Sequence, residues 1–261
     1  MDQQEQMQFF FEIFDSSLPR LGPGDDASTK KALNLLLSAK SRSNVAADFA
    51  RLKILDIGCG NGAQTIALAK NIDGTIVAVD NHQPYLTELQ HRAEAEGVSG
   101  KIQPCLRDMC NLDLEKGSFD LIWSEGALYN MGFREGLAVC RRLLAPGGLL
   151  AVSELSRLQS DPPEECRQFF ANEYPAMVDI DANLAIIKSC GYDLLGHFTL
   201  PESAWLDTYY APLEHRLQSF LKEYVAEPER MEIIDSIQRE IEIYRRYSRY
   251  YGYEFYLMQQ C

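Results

Sequence analysis

Short apolar runs alternate through the middle of the chain with segments whose apolar residues recur every three or four positions. That alternation predicts a mostly parallel sheet covered by helices. Strands are expected at 53–57, 75–79, 101–105, 119–124, 149–154, 192–200 and 253–258. The helix at 62–71 has Ile66, Leu68 and Ala69 as its apolar side. Charged amphipathic helices follow at 84–96, ending near Gly97, and at 134–144, stopped by Ala145-Pro146-Gly147-Gly148. Another helix, 179–190, ends at Gly191.

Two regions fall outside this rhythm. The first is N-terminal: Phe9, Phe10, Phe11 and Phe14 recur at helical spacing over 3–14, and Leu21-Gly22-Pro23-Gly24 precedes a helix at 26–40. The second lies between the last two strands, from 201 to 251, too long for a structureless loop. It predicts two amphipathic helices. One carries Leu213, Leu217, Phe220, Leu221 and Tyr224 on a face; the other starts after Pro228 and carries Met231, Ile234, Ile237, Ile241 and Tyr244. Such stripes are first of all core. One elaborated domain over 1–261 is therefore expected, with an N-terminal helical cap or lid (1–45), an α/β core (46–200 and 251–261) and a helical insertion (201–250).

The 261 residues, 46% hydrophobic, suffice for one large core. A net charge of −13 repels phosphate backbones, so nucleic acid is disfavoured as a partner. Seven cysteines without a Cys-x-x-Cys pair give neither a disulfide framework nor a zinc site. No metal site is expected. The acidic N-terminus lacks signal-peptide character, and no apolar run reaches membrane-spanning length. A cytoplasmic protein is expected, with no membrane partner and with a homodimer among the open oligomeric states.

The candidate chemistry sits where the first strand meets its helix. Gly58-Cys59-Gly60-Asn61-Gly62-Ala63 lets backbone approach a ligand closely, and it fits a loose dinucleotide pattern. Asp56, two residues earlier, argues against that ligand, because a carboxylate there repels a pyrophosphate. A sulfonium cofactor with an ammonium group suits it instead. Asp80, at the end of the second strand, is suited to accept ribose hydroxyls from either cofactor.

The run Ile54-Leu55-Asp56-Ile57-Gly58-Cys59-Gly60-Asn61-Gly62 resembles motif I of the class I S-adenosylmethionine-dependent methyltransferases. Val79-Asp80, Arg107-Asp108-Met109, Phe119-Asp120-Leu121-Ile122-Trp123-Ser124 and Leu143-Leu144-Ala145-Pro146-Gly147-Gly148 continue the resemblance in the family's order. The resemblance implies a Rossmann-like sheet of seven strands, order 3-2-1-4-5-7-6, last strand antiparallel, with helices on both faces. It implies S-adenosyl-L-methionine as cofactor and S-adenosyl-L-homocysteine as product. The implied cofactor residues are Asp56, Gly58, Cys59, Gly60, Gln64, Asp80, Asn81, Asp108, Met109 and Ser124. Gly22 to Thr29, Trp123 to Phe133 and Tyr250 to Tyr256 look more narrowly like a group of bacterial methyltransferases similar to the ubiquinone-biosynthesis type.

Methyl transfer from a sulfonium needs mainly proximity, alignment and a dry site; a base is required only if the nucleophile must lose a proton. No His-Asp or Cys-His constellation stands out; His82, His91, His197 and His215 read as structural or exposed. Glu125, Tyr129 and Asn130 follow the fourth strand, where open α/β sheets bind ligands. Glu125 is either a base or cation holder for the acceptor, or a binder of the cofactor's methionine end or a helix N-terminus. Tyr129 and Asn130 either orient the acceptor or hydrogen-bond within their loop. Trp205, Tyr209, Tyr210, Tyr244, Tyr247, Tyr250 and Tyr251 flank the insertion and either pack it or cage an apolar or cationic acceptor. A small-molecule methyl acceptor leads these readings. An RNA or protein methyltransferase, a non-catalytic adenosylmethionine-binding protein and an NAD-dependent oxidoreductase stand behind it.

Overall fold

The computed structural model describes residues 1–41 and 51–261. The expected boundary between cap and core, at 45/46, lies outside the described residues. Seven strands form one sheet: β1 (Leu52–Ile57), β2 (Gly74–Asp80), β3 (Ile102–Leu106), β4 (Phe119–Glu125), β5 (Leu144–Arg157), β6 (Tyr192–Thr199) and β7 (Tyr251–Gln260). Their order is β3-β2-β1-β4-β5-β7-β6. The first five run parallel, while β7 is antiparallel to both β5 and β6. The expected topology is the observed one.

Ten helices surround the sheet among the described residues: α1 (Gln3–Ile13), α2 (Asp26–Ser41), α3 (Ala63–Asn71), α4 (Gln83–Ala95), α5 (Phe133–Leu143), α6 (Glu164–Glu173), α7 (Ile180–Ser189), α8 (Ser203–Trp205), α9 (Ala211–Glu223) and α10 (Pro228–Tyr247). The two-residue period of the strands splits the core into two layers. Ile54, Trp123, Ala151 and Phe255 face one layer with Ile13 of α1, Leu33 of α2, Leu213 of α9 and Ile237 of α10. Leu55, Ile122, Val152 and Tyr256 face the other with Leu137 of α5 and Ile187 of α7.

The cap and the insertion are joined. Phe9 of α1 packs against Phe220 (5.7 Å) and Tyr224 (5.1 Å) of the insertion. Arg216 of α9 donates from Nε to the carbonyl of Ile13 at 2.8 Å, satisfying a free carbonyl at the end of α1. The start of α1 is closed by a capping box between Asp2 and Glu5.

Three features depart from the expected elements. β5 begins at Leu144 and runs to Arg157, overshooting β4, because β7 supplies an antiparallel partner as far as Arg157↔Tyr251. Ala145-Pro146-Gly147-Gly148 falls within that strand, beside a register shift between Phe119 and Leu121 rather than in a free turn. α6 has a short apolar stripe, Cys166 and Phe170 on ten residues, too brief to stand out as a period. A π-helical turn at Leu206–Tyr210 joins α8 to α9 and buries both Tyr209 and Tyr210. Among the described residues, no helix is long and apolar enough to cross a membrane.

Candidate functional site

β1 ends at Ile57 and the chain turns through Gly58, Gly60 and Gly62, with φ of +70°, +54° and +85°. A Cβ at Gly58 would stand 2.4 Å from the Cβ of Ala127, so only glycine fits both the backbone and the space. The amides of Gly58 and Cys59 both donate to the carbonyl of Val79 at 2.9 Å, locking the turn to the end of β2. Gln64 donates from Nε2 to the carbonyl of Cys59 at 3.2 Å.

Asp80 closes the turn from the other side. Its Oδ2 accepts from the amide of Gly60 at 2.9 Å and its Oδ1 from the amide of His82 at 3.0 Å. Burial raises its proton affinity, and these hydrogen bonds act the other way. Asp108 turns inward to cap the 3₁₀ turn Met109–Asn111, accepting from the amide of Cys110 at 2.8 Å.

Asp56 is fully buried beneath the turn. Thr65 Oγ1 donates to its Oδ2 at 2.6 Å, and its Oδ1 has no partner. Burial first, then the charges of Glu125 and Asp80, push its carboxyl up from 3.8 to about 7. Ser124 is likewise fully buried and donates to the carbonyl of Ile57 at 2.9 Å, tying β4 to β1.

A cavity of about 790 Å³ opens above these strand ends, within the size range of small-molecule sites. Gly58, Cys59, Gly60, Gln64, Asp80, Asn81, Asp108 and Met109 line one side. Glu125, Tyr129 and Asn130 line another, and Met7, Phe10 and Phe11 of α1, Phe14 just after it and Ile233 of α10 add an apolar side. The fold thus gathers eleven of the thirteen candidate residues around one space. Asp56 and Ser124 are not on its wall.

Glu125 is held by three donors. Thr29 Oγ1 stands 2.7 Å and Trp123 Nε1 2.8 Å from its Oε1, and Arg20 Nη1 lies 3.3 Å from its Oε2. The Arg20 and Glu125 side chains are 8% and 5% exposed. Arg20 also pairs with Asp26 at 2.9 Å. Sequence reasoning missed Arg20 and Thr29. A signal was present: Arg20 is the only lysine or arginine before Lys30, in a segment rich in apolar and acidic residues.

The segment after α1 is bound to the glycine turn and to α4. Asn61 Nδ2 donates to the carbonyls of Ser16 (3.1 Å) and Leu18 (2.6 Å). Arg92 of α4 donates to the carbonyls of Ser16, Leu18 and Pro19, and Tyr85 donates its hydroxyl proton to the carbonyl of Phe14 at 2.7 Å. Asn130 bonds within its own loop, donating to the carbonyl of Ala127 at 2.9 Å.

Residues 54–148 match a family described as a methyltransferase domain. The chain is 20% identical to an S-adenosyl-L-homocysteine complex of an adenosylmethionine-dependent methyltransferase from Thiobacillus denitrificans, covering 97% of this chain and 98% of that one with a TM-score of 0.80. The fold is that of the class I methyltransferases. Within this methyltransferase fold the matched segment contains the glycine turn, Asp80, Asp108 and β4. A sterol 24-C-methyltransferase of Aspergillus fumigatus is 28% identical over 170 residues, 62% of this chain and 45% of that one. An O-methyltransferase of Aspergillus nomiae is 28% identical over 163 residues, 60% of this chain and 72% of that one. The chain spans less than half the length of the sterol enzyme.

Proposed function

We propose that this chain transfers a methyl group from S-adenosylmethionine to a small-molecule acceptor by in-line displacement, leaving S-adenosylhomocysteine. The carrying observation is the cavity floor: a glycine turn whose Gly60 amide holds Asp80 at the strand end, with the buried carboxyl of Asp56 behind it. Acids in those places oppose a pyrophosphate and suit a ligand with ribose hydroxyls and a positive charge. Asp56, buried behind the turn and off the cavity wall, acts on a positive group there through its charge rather than by contact. The sulfonium supplies an activated methyl group and a neutral thioether as leaving group.

In this reading Asp80 accepts the ribose hydroxyls. Asn81, Asp108 and Met109 border the adenine, while Gly58, Cys59, Gly60 and Gln64 shape the floor. Ser124 and Asp56 support the turn from behind. Glu125, with its oxygens occupied by Arg20, Thr29 and Trp123, positions the cap against β4 rather than accepting a proton. Tyr129 and Asn130 border the acceptor, whose apolar body would rest on Met7, Phe10, Phe14 and Ile233. The segments Gly22 to Thr29, Trp123 to Phe133 and Tyr250 to Tyr256 support membership of the group similar to the ubiquinone-biosynthesis type. The net charge of −13 supports a small molecule over RNA. Seven free thiols, Cys59, Cys140 and Cys166 among them buried, support a reducing, cytoplasmic setting.

Calorimetric titration tests the reading. Adenosylmethionine and adenosylhomocysteine should bind, and NAD(H) should not. Absence of binding by both sulfur compounds would overturn it.

A further inference from the structure

Arg20 stands on the cavity wall, and the transfer reading leaves it without a ligand. Among the described residues it is the only lysine, arginine or histidine on that wall, which also carries the acids Asp80, Asp108 and Glu125. From Asp80 the wall passes over Gly60 to Leu21, whose Cδ1 would stand 3.1 Å from a Cβ placed at Gly60. Arg20 is the neighbour of Leu21 in the chain and reaches Glu125 at the end of β4. The guanidinium is fixed in that place. Its Nη1 would be 2.8 Å from a Cβ at Gly24, so only glycine leaves it room. Gly24 is held in turn: its amide donates to the carbonyl of Ala204 at 2.9 Å, and its carbonyl accepts from Thr208 Oγ1 at 2.7 Å.

A guanidinium has five N–H donors. Arg20 directs one from Nη1 to Glu125 at 3.3 Å and one from Nη2 to Asp26 at 2.9 Å, which leaves the Nε hydrogen and one on each terminal nitrogen. The Asp26 side chain is 77% exposed, so solvent screens its charge. Glu125 shares its oxygens with Thr29 and Trp123. Arg20 thus keeps donors for a second anion. The amides of the glycine turn, which could compete for one, are largely spent. Gly58 and Cys59 give theirs to the Val79 carbonyl, Gly60 to Asp80 and Gly62 to the Cys59 carbonyl. S-adenosylmethionine carries a single anionic group, the carboxylate of its methionine end. The acids of the wall repel that group, whereas the planar fork of a guanidinium matches it.

We propose that Arg20 receives the methionine carboxylate of the donor. The inference rests on the methyl-transfer reading above. With its ribose on Asp80 and its carboxylate on Arg20, the donor is held on both sides of the glycine turn, which fixes the direction of the sulfur–methyl bond. Arg20 is then a specificity-determining residue: it favours a donor that ends in an amino acid over one that ends in an amine. Because Arg20 belongs to the segment after α1, the bound donor itself adds to the fastening of the cap that borders the acceptor.

The test compares S-adenosylhomocysteine with its decarboxylated form, which keeps the adenosine, the sulfur and the amine. Calorimetry on the full chain should show S-adenosylhomocysteine binding about thirtyfold more tightly, as one charge-assisted pair allows. Arg20→Lys keeps a positive charge beside Glu125, and with it the fold, but lacks the fork. It should cut S-adenosylhomocysteine affinity about tenfold and leave the decarboxylated compound unchanged. Arg20→Met combined with Glu125→Gln replaces the pair by neutral side chains and should abolish the preference altogether. A purely structural role for Arg20 would weaken both ligands by the same factor. That result, equal affinity of the two ligands for the wild-type chain, or a preference undiminished in the lysine variant would overturn the inference. Should the double variant lose both ligands, it has not folded and the lysine variant decides alone. Failure of the wild-type chain to bind either ligand would instead sink the transfer reading.

Discussion

The two halves of the cavity are built in different ways. The donor half is made of backbone: a glycine turn, the end of β2, and amides that hold Asp80 at 2.9 and 3.0 Å. Its pieces are close in sequence and belong to one βαβ unit. The acceptor half is made of side chains that converge from far apart, α1, the loop after β4, and the insertion. It is fastened by polar ties between distant residues, such as Arg20 to Glu125, 105 residues apart. The lesson is a division of labour. Backbone geometry suits the one donor proposed, while side chains contributed by separate helices can be exchanged without disturbing the glycine turn.

The strongest way to break this comparison is to cut the tie. Arg20→Met leaves the Glu125 charge buried with only neutral donors, and should destabilise the fold by about 3 kcal/mol, near the low end for stranding a buried charge. Denaturant unfolding measures it. Stability equal to wild type would mean that the cap needs no such fastening. Next comes the donor half. Asp80→Ala removes the proposed ribose acceptor and the partner of the Gly60 amide, and should weaken adenosylmethionine binding about a hundredfold, as loss of charged hydrogen bonds does. Calorimetry reads this directly, and a change under about threefold would refute the assignment.

A smaller effect sharpens the role of Glu125. If it positions the cap, Glu125→Gln should alter kcat by less than about tenfold, whereas loss of a general base removes about 10²–10⁴. Steady-state rates with any accepted methyl acceptor distinguish the two.

The subtlest effect concerns Asp56. Its carboxyl is raised from 3.8 to about 7 by burial, so at pH 6 the folded protein holds a proton that the unfolded chain has lost. Stability should therefore fall as pH rises from about 4 to about 7, and Asp56→Asn should remove that slope. An ammonium arriving on the cavity side of the glycine turn lowers the proton affinity of Asp56 through space, so cofactor binding at pH 6 should release part of a proton. Titration in two buffers of different ionisation enthalpy detects the release, which the asparagine variant should lack.

The sequence made the donor half legible because its signals are local. Strand, glycine turn, helix and the acid at the end of β2 follow one another within about thirty residues, and each has a known backbone reason. The seven-strand order came with the resemblance, and the apolar stripes of 213–224 and 231–244 showed the two long helices of the insertion. What stayed hidden depends on partners distant in sequence. The overshoot of β5 is created by β7, a hundred or so residues later, and Pro146-Gly147-Gly148 reads locally as a turn. No period marks Arg20 as the mate of Glu125. Strand alternation gave no warning that Asp56 lies behind the cavity wall, because a site residue and a support residue alternate alike.

The hydrogen bonds from Asn61, Tyr85 and Arg92 to the carbonyls of 14–19 have a consequence in time. They tie the segment after α1, which borders the cavity at Phe14 and Arg20, to the glycine turn and to α4. If product release requires that stretch to open, turnover should slow with solvent viscosity and stay indifferent to the intrinsic reactivity of the acceptor.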